Sequence, residues 1–495
     1  MTTELHADGG ASREDASAVG VVSFSTNGWE KEELEKLREY LNEERQRDAV
    51  EACVESLGDR YTYFDRNAEG YPTTFVPPRL AAAIEQYLRL TRGPGNSLWY
   101  DAGGVYRPGA EDLVGDVVRQ VLDEDFRGNR LNEVLAWCRA LPIGISAEQT
   151  PQDNLLNVAN GVLNLDTLDL RPVRDDEMFT YQLPIEWNPS ARCPQIEAFV
   201  REVVPPDCVG LVAEIIGMCL LPTPRFRRAV MFQGHGSNGK SKLLDVIRAL
   251  LGADNVSSVP LQALSEDRFA KAQLFGKLAN LAGDLDAKPV ESSGAFKTLT
   301  GGDLVTAERK YGQPFQFVNF ATLIFSANEW PVSHDQTEAY FTRWVAIPFD
   351  HVYREDGGPL QPGERRADPK LLDRLLTRAE LEGLLVRSVH GARRLRERGG
   401  FDVPQSVRDA VRDYREWADT VLAWTIESVS PLPEHRVTRK QVYDAYRRWT
   451  QDNGQRSVSA KKFWPRFREV LRTRGVSMEE TKSSGDREVL HIAVS

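Results

Sequence analysis

Strands and helices alternate between residues 227 and 349 of this sequence, and the alternation points to an α/β protein. Three observations carry the reading. An apolar run, Ala229-Val230-Met231-Phe232, breaks into a Gly-rich loop that leads straight into a helical pattern from Lys242 to Leu251. Two further runs, Leu278 to Asp286 and Ala321 to Asn328, read as buried strands that end in acids or an amide. A last run, Thr342 to Phe349, closes the set. Near-continuous apolar strands separated by helical stretches are what a sheet covered on both faces requires.

The loop, Gly234-His235-Gly236-Ser237-Asn238-Gly239-Lys240-Ser241, fits G-x-x-x-x-G-K-[ST] and opens onto Lys242. Glycines at those positions let the backbone curl until successive N–H groups point inward at phosphate oxygens. Lys240 then reaches the outer phosphates, Ser241 can ligate Mg²⁺, and the helix N-terminus adds its positive dipole end. The expected ligand is a nucleoside triphosphate.

Around this core the chain divides by composition. Residues 1–20 are small, polar and acidic, as in a disordered tail. Residues 21–95 form an N-terminal helical region: amphipathic spacing over Glu30–Glu55, a turn-rich stretch over Tyr61–Pro78, and a helix over Arg79–Arg92. Residues 96–222 read as a small α+β domain. It holds a hairpin at Leu98–Tyr100 and Gly104–Arg107, helices over Ala110–Leu141, strands about the Asn160-Gly161 turn, and helical spacing over Ile196–Leu221. The ATPase-type core spans 223–352. A helical connector, 353–430, begins with a loop over Asp350–Asp368 and continues as helices over Lys370–Arg398 and Pro404–Ser428. A last domain, 431–495, has two helices (Val442–Trp449, Lys461–Arg474) and a two-stranded wing turned at Ser483-Ser484-Gly485.

Composition sets outer bounds. The chain has 495 residues, 41% hydrophobic and 27% charged, which is ordinary for a soluble globular protein with room for about three domains. A net charge of −11 argues against a protein that coats nucleic acid over its whole surface, while leaving room for a local basic groove. Five scattered cysteines without a CxxC pair argue against a disulfide framework or zinc site. No run reaches the length of a membrane span and no signal peptide is visible, so the expectation is a cytoplasmic protein without membrane contact.

A phosphate loop alone names no reaction; its partners must come from the ends of neighbouring strands. Asp284 and Asp286 end one strand and could hold the metal's shell or orient the attacking water. Asn328 ends another and could hydrogen-bond the terminal phosphate. Arg343 precedes the last strand and could reach a neighbouring subunit's nucleotide. Between these strands Thr300–Phe317 reads as a hairpin, with Arg309, Lys310 and Tyr311 near its tip and Phe315 and Phe317 alternating inward. A cationic, aromatic tip suits contact with single-stranded nucleic acid.

The motifs GHGSNGKS, NLAGDLD, LTGGDLVTAERKYGQPFQF, ATLIFSAN and TRWVAIPF occur in that order. Together they resemble the superfamily 3 helicase core, and most of all the helicase part of phage, plasmid and poxvirus primase-helicases. The resemblance runs over about 100–495 and is strongest over 229–349. It implies an AAA+-like P-loop ATPase core, preceded by a small α+β domain and followed by helices and a winged-helix-like domain. It implies ATP and Mg²⁺ at Gly239, Lys240 and Ser241, Walker B acids at Asp284 and Asp286, a sensor at Asn328, an arginine finger at Arg343, and a DNA-gripping hairpin around Lys310. Such enzymes are hexameric rings that translocate 3′ to 5′ on single-stranded DNA. Two departures stand out: one arginine where many relatives have two, and Gly283 ahead of Asp284. With no Asp-x-Asp cluster in the first 95 residues, the expectation is a helicase part that works with a separate primase or polymerase.

The last domain carries fourteen Lys/Arg against eight Asp/Glu within this acidic chain. Lys461, Lys462, Arg466 and Arg468 line its second helix, as a DNA-contacting helix would. Forked and single-stranded DNA are the expected partners. Two other readings share the same loop: an ATPase that remodels or loads proteins, and an origin-binding protein whose ATP site drives only assembly.

Overall fold

The computed structural model describes residues 46–148, 150–283, 285, 293–310, 312–331, 333, 335, 337–355, 358–453, 457–476, 478–483 and 486–494. The chain divides into two compact units, Met1–Ala52 and Cys53–Ser495. Of the first, residues 46–52 are described and are helical. The expected tail, 1–20, and most of the first amphipathic stretch lie outside the described residues, as do Asp284, Asp286, Tyr311, Ser484 and Gly485. The elements of the fold belong to the second unit.

At its centre lies a five-stranded, all-parallel sheet. Its strands are β1 (Ala229–Gln233), β2 (Val256–Ser257), β3 (Ala279–Ala282), β4 (Thr322–Ala327) and β5 (Trp344–Pro348), side by side in the order β2-β3-β4-β1-β5. Alternate side chains of each strand enter different cores. Val230, Phe232, Ile324, Val345 and Ile347 pack with Leu243, Ile247 and Leu250 of the helix Lys240–Leu251 (α1). Ala229, Met231, Leu323, Phe325, Trp344 and Ala346 pack on the other face with Phe296, Leu299 and Tyr340. The apolar runs are continuous because both faces are covered; each buried Leu, Ile or Phe contributes roughly 1.5–3 kcal/mol. The mixed α/β architecture with a parallel sheet matches the sequence expectation.

Upstream, Leu98–Asp101 and Tyr106–Pro108 form the expected hairpin, and Leu155–Val158 turns into Gly161–Asn164. Where a helix is expected over Arg79–Arg92, it runs only over Pro77–Leu88. Arg89 takes the left-handed conformation (φ 48°), and Thr91–Arg92 instead pairs with Leu98–Trp99, across the expected boundary at 95/96. The turn-rich stretch holds a short antiparallel pair, Phe64–Arg66 with Pro72–Phe75. The loop expected over Asp350–Asp368 contains a short parallel pair, Val352–Arg354 with Glu364–Arg366.

The connector helices are Leu371–Leu375, Arg378–Arg398 and Gln405–Ala418, followed by α2 (Thr420–Ser428). The expected continuous helix Pro404–Ser428 is broken at Asp419, whose carboxylate accepts from the N–H groups of Val421 and Leu422 and so starts α2. The C-terminal part continues with β6 (Val429–Thr438), α3 (Arg439–Asp452), α4 (Ala460–Thr473), β7 (Glu479–Ser483) and β8 (Asp486–Val494). The sheet order is β6-β8-β7, antiparallel throughout. Val421 and Trp424 of α2 belong to the core of this part, with Tyr446, Phe463 and Phe467. Packing therefore joins α2 to the last domain, ahead of the boundary expected at 430/431. Among the described residues no helix is long and apolar enough to cross a membrane.

Candidate nucleotide site

The Gly-rich loop leaves the C-terminal end of β1, beside the C-terminal end of β4. Gly234 N–H donates to Ala327 O (3.2 Å), which ties the two strand ends together. A side chain at Gly234 would put its Cβ 2.4 Å from Phe349 O. One at Gly239, where φ is +91°, would press Val203 Cγ1 at 2.9 Å. Both positions need glycine, for close approach and for backbone conformation. Gly239 is the N-cap of α1 and offers no side-chain cap, so the N–H groups of the first turn are left for a ligand.

Lys240 is 4% exposed. Its ammonium donates to Gly234 O (2.5 Å), Asn238 Oδ1 (3.0 Å), Asn328 Oδ1 (3.2 Å) and His235 O (3.4 Å). A buried cation must be compensated, and here four neutral oxygens contribute to that. Asn238, also buried, is fixed by donating its side-chain amide to Phe349 O (3.2 Å). His235, Gly236, Ser237, Ser241 and Lys242 face outward. Ser237 has φ +57°, and its carbonyl accepts from Tyr353 N–H (2.7 Å), so the strap after β5 is tied to the loop. Burial and the nearby Glu202, which accepts from the Tyr353 hydroxyl, push that phenol up to about 12. Further along α1, burial raises the carboxyl of Asp245, against the opposing pull of Lys242 and Arg248.

Lys240 and Asn328 thus meet. The acids expected beside them, Asp284 and Asp286, lie outside the described residues. Between them, Leu285 donates its N–H to Ser326 O (2.9 Å) near the end of β4. Among the described residues the Ser241 hydroxyl makes no hydrogen bond, so a metal could take it as a ligand.

Arg343 stands elsewhere. It precedes β5, and its carbonyl accepts from Ala229 N–H (2.8 Å) at the start of β1. Five residues of strand, roughly 16 Å at about 3.3 Å each, separate that end of the sheet from the loop. Its Nε donates to Thr300 Oγ1 (3.0 Å) and its guanidinium also bonds Ala339 O. Burial, then the neighbouring Arg227, lowers its pKa.

The hairpin strands are Leu304–Ala307 and Phe315–Val318, with Phe315 and Phe317 buried as the alternation predicts. Arg309 does not stand free at the tip. It lies 5.9 Å from the Trp99 ring and 5.6 Å from the Phe315 ring, and donates to Ser97 Oγ (3.4 Å). Burial lowers its pKa, with Glu111 opposing. Lys310 is exposed.

In the C-terminal part, Lys461 and Lys462 are exposed near the start of α4. Arg466 turns inward to Asp419 Oδ2 (2.6 Å), a carboxylate only 2% exposed, and also pairs with Glu469. Arg468 pairs with Glu480 on β7 (2.7 Å). Sequence reasoning gave no role to Thr300, Tyr353 or Asp419. Their partners lie 43, 116 and 47 residues away, so no local pattern could reveal them.

Comparison with known proteins places two family models on the chain: "D5 N terminal like" over residues 81–205, and a family of unknown function, DUF5906, over residues 232–343. A protein of Acanthamoeba polyphaga mimivirus, provisionally named a helicase, is 23% identical over 248 residues. That match takes in 47% of this chain and 25% of the relative, so the chain spans about a quarter of the length of the curated relative it matches. Solved structures of the NrS-1 C-terminal region superpose with TM-scores of 0.47 and 0.45 at 13% and 14% identity, over 84% of this chain and 99% of theirs. The D5-like match and the viral relative point the same way: over these segments the chain is similar to phage and viral primase-helicases.

Proposed function

We propose that this chain is an ATP-driven DNA helicase for the replication of a virus, phage or plasmid, with an AAA+-like core of the superfamily 3 type. The observation that carries the reading is the meeting of Lys240 with Asn328 at the C-terminal ends of adjacent strands (3.2 Å), directly before an uncapped helix. Ligands of open parallel sheets bind at that edge. Lys240 exchanges its loop oxygens for phosphate oxygens, and the amides from Gly234 to Ser241 cradle the triphosphate. Ser241 and Asp284 would hold Mg²⁺, which would supply neutralisation of charge on the transferred phosphoryl group. Asn328 orients the attacking water, and one of the two carboxylates, Asp284 or Asp286, takes up its proton. Arg343, remote from its own loop, serves the nucleotide of the next copy in a six-membered ring. Lys310, Lys461 and Lys462 contact single-stranded and forked DNA, moving along it 3′ to 5′; Arg309 and Arg466 hold the elements that carry them. A separate primase or polymerase works with the ring.

The test is ATP-dependent strand displacement on forked duplexes with a single-stranded 3′ or 5′ tail. Unwinding from the 3′ tail alone supports the reading. Tight nucleotide binding without unwinding of either fork rejects it.

A further inference from the structure

At the edge of the central sheet opposite the loop, three arginines meet. The register pairs Trp344 with Ala229, which sets Arg343 and Arg228 side by side as the residues just before β5 and β1. Arg227 precedes them at a turn closed by its own N–H to Pro224 O (3.1 Å), with a left-handed φ of +51°. Arg227, Arg228 and Thr300 help line a cavity of about 20 Å³, with Thr223, Phe226 and Asn319. Thr300 also accepts from Arg343 Nε, which places Arg343 next to the cavity that Arg227 and Arg228 line. Among the described residues neither the Arg227 nor the Arg228 side chain makes a hydrogen bond or ion pair. Burial, then Arg343, lowers the pKa of Arg228, as expected of a partly desolvated cation beside another.

Asp303 and Asp335 attract Arg343, but Arg227 and Arg228 have no such partner among the described residues, and like charges so gathered cost free energy that an anion would recover. We propose that Arg227 and Arg228, together with Arg343, form a receptor for the phosphates of a nucleotide held by the loop of a neighbouring copy of this chain. The inference rests on the function proposed above and adds two residues to it. The cavity, about 20 Å³, is too small for a base, so only the outer oxygens of a phosphate could reach it. The receptor and the loop lie at opposite ends of one sheet, so they cannot share a nucleotide within one copy. Head-to-tail contacts, the kind that close rings, bring such opposite surfaces together. A guanidinium pair flanking the finger would hold it in line by binding phosphate oxygens in a planar fork.

The test uses three full-length proteins: wild type, Arg228→Ala and Lys240→Ala. Arg228→Ala should still bind a fluorescent ATP analogue, within about tenfold of wild-type affinity, because the loop that holds the nucleotide is intact and one contact from the neighbouring copy is lost. Its hydrolysis should fall about tenfold or more, against the ~10³-fold expected for removing the finger itself. Lys240→Ala should neither bind nor hydrolyse. Mixing the two impaired proteins should restore hydrolysis, since roughly a quarter of randomly formed contacts join an intact loop to an intact receptor. Arg228→Lys, which keeps the charge, should lose less than Arg228→Ala. Wild-type hydrolysis by Arg228→Ala overturns the proposal, as does lost nucleotide binding in that variant or a mixture that stays inactive. Absence of hydrolysis in the wild type itself overturns the proposed function, and the receptor with it.

Discussion

Asn328 Oδ1 accepts a hydrogen bond from Lys240 Nζ at 3.2 Å, although 88 residues separate the two in the chain. The pairing exists because β1 and β4 are neighbours in register, Gln233 opposite Ala327, so that the loops leaving both strands emerge at one edge. The two residues should nevertheless fail differently. Lys240→Ala removes a phosphate ligand and should abolish binding. Asn328→Ala leaves the loop intact, so binding should change less than tenfold while hydrolysis falls about 10²-fold, the scale of losing one oriented polar contact in a transition state. Equilibrium binding and steady-state turnover separate the two.

Arg309 and Lys310 are adjacent, but only Lys310 is expected to serve DNA. Arg309 is held between Trp99 and Phe315 and ties the hairpin to the upstream domain. Arg309→Ala should cost about 1–3 kcal/mol through lost cation–π contact and stem packing, visible in chemical denaturation. Lys310→Ala should leave stability within about 0.5 kcal/mol and lower DNA stimulation of turnover.

A similar contrast holds along α4. Arg466→Ala strands the buried Asp419 carboxylate, which then keeps, among the described residues, its capping bonds to Val421 and Leu422, and should cost about 3 kcal/mol. Lys461→Ala and Lys462→Ala should leave the melting midpoint in place. If they touch DNA phosphates, each should reduce the slope of log affinity against log salt by about one.

Asp335 gives a pH prediction. Burial acts to raise its pKa, but the hydrogen bonds from Lys297, Ser293 and Thr337 outweigh it and hold the carboxyl well below the usual range. A depressed folded-state pKa stabilises the fold above the unfolded value, near 3.9, and that contribution fades as pH falls toward the folded value. Asp335→Asn should therefore be less stable than wild type at pH 7. The gap should narrow as pH drops below about 4, read from denaturation curves across pH.

The parallel sheet was legible from the apolar runs, which show no polar alternation because helices cover both faces. The loop was legible because its glycines answer local needs, as at Gly239 with φ +91°. Asn328 was visible only as the polar end of an apolar run, as many strands have; its role came from the resemblance, and its place beside Lys240 needs the pairing of β1 with β4. Side-chain direction could not be read where the partner is distant. Arg309 looked like an exposed tip because Ser97 and Trp99 lie more than 200 residues upstream. Arg466 looked like an outer-face residue because its helix spacing says nothing of Asp419 on another element. The proposed receptor has a sequence signal, the doublet Arg227-Arg228 just before a buried strand, but its meaning needs the register that sets Arg343 beside it.

The most direct test of the central claim is ATP hydrolysis by the purified full-length protein, with and without single-stranded DNA, beside Lys240→Ala. The account predicts turnover that DNA raises severalfold and that disappears in the variant. Turnover indifferent to DNA, or retained by Lys240→Ala, would contradict it.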